Sequence, residues 1–124
     1  MKEENDNIRF LSVISYISVL FVVGHFSVEK NNPDLRFHKY QGGVMFAFFS
    51  FFYLLDLLIY FLLSFSPELQ TMIVFLITGA LLIANCFMAV LGIRYALRFE
   101  QRLIPFIGPV AVSLRKAADR RINR

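Results

Sequence analysis

The sequence predicts an all-α membrane protein: three transmembrane helices, then a C-terminal amphipathic interfacial helix, oriented N-out/C-in. Three observations lead there. The 124-residue chain is 57% hydrophobic and only 18% charged, against about 25% charged in soluble domains. Phenylalanine fills 15 positions, more apolar bulk than an interior this small encloses. The apolar residues also gather into runs of bilayer length, and the mean hydropathy is +0.60. The length suits one helical membrane domain over 1–124.

The first apolar run, FLSVISYISVLFVVG at 10–24, has 15 residues, short for a crossing. Extended over residues 8–28 it takes in Arg9 and His25 and spans about 31 Å. Arg9 can then snorkel to the interface. The run lacks the broad polar face of an interfacial helix. Glu3, Glu4 and Asp6 stand in the opening stretch and no small-x-small site follows, so no cleavable signal is expected.

Asn31, Asn32, Pro33 and Asp34 form a turn signal. Asp34 is the expected cap of a helix starting near Leu35. That helix leads into the second crossing, 41–65, whose only charge is Asp56. Ser66 and Pro67 read as the cap and first-turn proline of the third crossing, 69–93. Within it, residues 72–92 carry no charge and only Thr78 and Asn85 as polar groups. The stretch LIPFIGPVAVSL at 103–114 has 12 residues and two prolines, too short to cross. Ala111, Leu114, Ala118 and Ile122 then recur at helical spacing among basic residues. They predict an amphipathic helix over 109–122, lying on the membrane or packed beneath the bundle.

Net charge is +4, and eight of thirteen Lys and Arg lie from Arg94 onward. That distribution reads as a positive-inside signal with attraction to anionic headgroups at the tail, not as a nucleic-acid surface. With the first loop and the tail inside, eleven basic residues are inside and two outside, which sets the orientation. The single cysteine, Cys86, forms no intrachain disulfide and reads as a buried small hydrophobe. One thiol and two scattered histidines imply no metal site, and no cofactor is expected.

Polar residues in apolar segments are the candidate functional or structural positions. At 100° per residue, His38, Gln41, Met45, Phe49, Phe52 and Asp56 lie within roughly 80° of arc, a stripe expected to face protein. Counted from the outer boundary, Ser18, Asp56 and Thr78 reach similar depth and are expected to form a polar layer, with Asn85 about 10 Å deeper. These groups fit interhelical hydrogen bonds; the alternative is a hydrated path or pocket. His38, near Asp34 and Arg36, reads as an interface anchor. Gly42, Gly43 and Gly79 permit close helix approach without a GxxxG pair. No nucleophile–base pair is identifiable, so an enzyme is not expected.

Asn32-Pro33 followed by Leu35-Arg36-Phe37-His38-Lys39-Tyr40-Gln41-Gly42 resembles a motif of a widespread bacterial family of small membrane proteins. The run at 11–17, LSVISYI, resembles that family's first-helix signature, and Ile104-Pro105-Phe106-Ile107-Gly108 its proline-x-x-glycine closing motif. The family is import-component-like, distantly similar to the channel-like component of the chloroplast inner-envelope protein-import translocon. The resemblance implies importance for His38 and Gln41 and structural roles for Arg36, Pro105 and Gly108. Asp56 stands out by its burial, outside the motif.

Together these features predict a non-enzymatic assembly or scaffold component, acting through self-association or a membrane partner. The alternatives are a transport or protein-translocation component with a hydrated route near Asp56 and His38, and a scaffold responsive to anionic lipid.

Overall fold

A computed structural model describes residues 2–17, 26 and 31–122. Among them are four helices and no strand: α1 (Lys2–Ile14), α2 (Pro33–Leu62), α3 (Pro67–Leu97) and α4 (Ile107–Ile122). The fold is all-helical, as the sequence predicts.

α1 begins inside the charged opening and ends at Ile14, within the stretch expected to cross from 8 to 28. The Ser15 hydroxyl donates to the Leu11 carbonyl at 2.8 Å. The next amides reach back only three residues, Tyr16 to Val13 and Ile17 to Ile14. A competing side-chain bond and a tightened last turn close the helix. The remainder of that expected crossing, including Ser18 and His25, lies outside the described residues.

α2 is capped by Asn32, whose side chain accepts from the amides of Asp34 at 3.0 Å and Leu35 at 3.4 Å. Pro33 occupies the first turn, where its missing N–H leaves no bond unmade. This corrects the expected cap at Asp34, which sits in the first turn and favours the positive helix end. The helix therefore starts two residues before the expected Leu35 and stops at Leu62, three residues short of the expected end of the crossing. Ser66 stands at the start of α3 but makes no side-chain cap bond. The turn between the two helices is tied by Gln70 Nε2 donating to the Tyr60 carbonyl at 2.7 Å.

α3 ends in a Schellman arrangement: Glu100 N–H donates to Tyr95 O at 2.9 Å and Phe99 N–H to Ala96 O at 3.2 Å. Phe99 takes the left-handed position at φ 53, commonly held by glycine. The Arg9 guanidinium covers its ring, 4.7 Å from the centroid, a favourable cation–π contact.

The core lies at one end of the α2–α3 hairpin. Tyr16, Met45, Phe49, Ala96, Ile104 and Ile107 pack there, bringing together the end of α1, the first half of α2, the last turn of α3 and the linker to α4. Two glycines allow this closeness. A Cβ at Gly42 would stand 1.9 Å from the Ser15 carbonyl oxygen, and one at Gly92 would stand 2.4 Å from the Tyr16 ring.

The other half of the hairpin is apolar and uncovered. α2 and α3 are about 45 Å long and apolar enough to cross a membrane. In their most apolar 18-residue windows, 17% of α2 and 0% of α3 is buried. A soluble protein's core helix shows the reverse. Phe75, Ile83, Phe87 and Val90 all point outward. Cys86 is exposed on α3, correcting the expectation of a buried thiol: it lies on a helix whose apolar surface mostly faces away from the protein.

α4 starts at Ile107, two residues before the expected 109, because the third helical position tolerates Pro109. Ile107, Gly108 and Ala111 are buried and α4 packs on α2. Val110, Leu114 and Ile122 are exposed, so only part of the expected apolar stripe meets protein.

Candidate functional site

Spacing of three, four, four and seven puts His38, Gln41, Met45, Phe49 and Asp56 on one face of α2, and all five are buried. Phe52, from the same stripe, is half-buried. The stripe carries two polar centres separated by the hydrophobic core.

The first centre is built around His38 and Gln41. His38 is 1% exposed, so it is a buried residue and not the interface anchor the sequence suggested. Its Nδ1 lies 2.7 Å from the Tyr16 hydroxyl. The Tyr16 and Phe37 rings meet the imidazole edge to face, at centroid distances of 5.7 and 5.3 Å. A neutral imidazole accepting at Nδ1 carries its hydrogen on Nε2. That nitrogen is buried with no partner among the described residues, as is Ser12 Oγ.

Gln41 acts as a clamp. Its Nε2 donates to the Arg102 carbonyl at 2.9 Å, and its Oε1 accepts from the Ile104 amide at 3.1 Å. One side chain thereby satisfies both a donor and an acceptor of an irregular segment, where helix bonds are absent. The clamped backbone leads into Pro105, whose carbonyl accepts from Ile107 N–H at 2.8 Å. Phe106 between them has φ 65, the conformation of a γ-turn. Gly108 N–H then bonds Ile104 O at 2.8 Å and opens α4.

Around this centre, charged groups latch α4 and the linker to the start of α2. Arg36 pairs with Asp119, and Gln101 donates to Asp34. Arg36, His38, Gln41, Pro105 and Gly108 thus belong to one junction, formed from segments more than sixty residues apart.

The second centre joins Asp56 to Thr78. The Thr78 hydroxyl donates to Asp56 Oδ2, while Oδ1 is buried without a partner among the described residues. Ser18, expected in the same layer, lies outside those residues. Asn85 lies two turns further along α3, about 10 Å from Thr78, and lines a separate cavity.

Tyr16, Ser12, Ser15 and Tyr53 are buried or unpartnered polar positions that sequence reasoning missed. A signal existed for the first three. Ser12, Ser15 and Tyr16 are three and four residues apart, a polar stripe in an apolar run. Comparison with protein-family models, characterised proteins and solved structures returned no match.

Proposed function

We propose that this chain is an integral membrane protein of the bacterial cytoplasmic membrane. In this reading it acts without catalysis, as an assembly component that binds a second copy of itself or another membrane protein. The observation that carries the reading is the bare α2–α3 hairpin, with none of the most apolar window of α3 buried. Apolar surface of that extent is covered by lipid or by a partner's helices.

The polar groups support a structural role. Gln41 holds backbone, Asp56 accepts from Thr78, and Arg36 holds Asp119. In the proposed topology the chain crosses three times, N-out/C-in, and the junction of α2 with α4 faces the cytoplasm. Lys116, Arg120 and Arg121 are exposed on α4, placed to meet anionic headgroups or an acidic partner.

The test is to extract the protein from its own membrane in mild detergent, isolate it and measure the mass of the intact complex. A defined oligomer or a stoichiometric membrane partner is expected. A lone monomer across detergents and concentrations overturns the assembly role.

A further inference from the structure

Between the end of α1 and the facing sides of α2 and α3 lies a cavity of about 350 Å³, open on one side. Its lining includes Tyr16, Phe49, Ser50, Tyr53, Asn85 and Cys86. It lies within the two helices that are long enough to cross a membrane. That lining is mostly apolar, with a few polar groups set into it. Tyr53 contributes its ring, its hydroxyl being buried, and the polar groups Ser50 and Asn85 have no side-chain hydrogen-bond partner among the described residues.

Filled with hydrocarbon, the cavity would leave these two polar side chains bare, which is unfavourable. Water removes that penalty. At ~30 Å³ per molecule the volume holds about ten waters.

We propose that this cavity is a hydrated recess within the membrane thickness, admitting water and small hydrophilic solutes to Ser50 and Asn85. The proposal rests on the membrane reading of α2 and α3 and adds to it a wet interior surface, distinct from the assembly role.

The single cysteine is the natural reporter, because Cys86 lines the recess. Its neighbour Phe87 is 62% exposed but does not line the recess. The full chain is reconstituted in vesicles, with a small, charged methanethiosulfonate on both sides. Such a reagent reacts with a thiolate, so Cys86 is expected to label at least ~10-fold faster than the cysteine of a Cys86→Ser/Phe87→Cys variant. Ala89 also lines the recess, and Ala89→Leu is expected to slow Cys86 labelling roughly tenfold by filling it. Equally slow labelling at 86 and 87 means a dry recess and overturns the proposal while leaving the membrane reading intact. Equally fast labelling means that neither position is in lipid and overturns both. Unchanged labelling in Ala89→Leu also overturns it.

Discussion

The Tyr16 hydroxyl lies 2.7 Å from Nδ1 of His38, joining the end of α1 to the first turns of α2 across 22 positions of sequence. Both residues are almost wholly buried, and Gly92 leaves the space that the tyrosine ring occupies. Tyr16→Phe keeps the ring and deletes the bond, leaving both imidazole nitrogens without a partner among the described residues. The expected loss is about 1–3 kcal/mol, seen as a lower thermal midpoint in detergent. An unchanged midpoint means that the bond contributes nothing.

Gln41→Leu preserves volume and removes the clamp on Arg102 and Ile104. The buried Ile104 amide then has no acceptor, at a cost of about 1–3 kcal/mol. Limited proteolysis is expected to cut within 98–106 faster than in the parent, while helix content by circular dichroism stays the same. Equal cutting rates contradict the clamp.

The glycines of the hairpin are expected to respond oppositely to alanine. At Gly42 the new methyl meets the Ser15 carbonyl, and overpacking of this kind costs about 1–3 kcal/mol. At Gly79 it meets nothing within 4 Å, so Gly79→Ala is expected to stabilise the helix by about 0.5–1 kcal/mol. Comparing the two unfolding midpoints in one detergent checks the contrast, and a similar loss at both positions counts against the packing described for Ser15.

Asp56→Asn retains an oxygen to accept from Thr78 and is expected to change stability by less than about 1 kcal/mol. Thr78→Val deletes the donor and leaves the buried carboxyl alone, with a loss of about 1–3 kcal/mol. A larger loss in Asp56→Asn than in Thr78→Val contradicts the pairing.

The buried face of α2 was legible because His38, Gln41, Met45, Phe49 and Asp56 repeat at helical spacing, and that period survives any tertiary arrangement. The hairpin of two long apolar helices was legible from run length alone. The cap of α2 was misread because Asn32 and Asp34 are both good capping residues. Pro33 decides between them, since a first-turn proline places the cap immediately before it. The partners of His38 and Gln41 were out of reach for another reason. They come from the turn after α1 and from irregular backbone near Ile104, and no local pattern encodes contacts over such separations. Phe99 and Phe106 hold positive φ angles where propensity favours glycine, so tertiary contacts decide those two turns.

In the proposed topology α2 and α3 form a hairpin crossing a membrane with its turn outside and α4 inside. Ser64 in the turn and Ser113 on α4 are both exposed. Each is replaced by cysteine in a Cys86→Ser background and probed in intact cells with a membrane-impermeant maleimide. The expected result is labelling of Ser64→Cys at once and of Ser113→Cys only after permeabilisation. Labelling of both positions in intact cells, or of Ser113→Cys alone, contradicts the proposed topology.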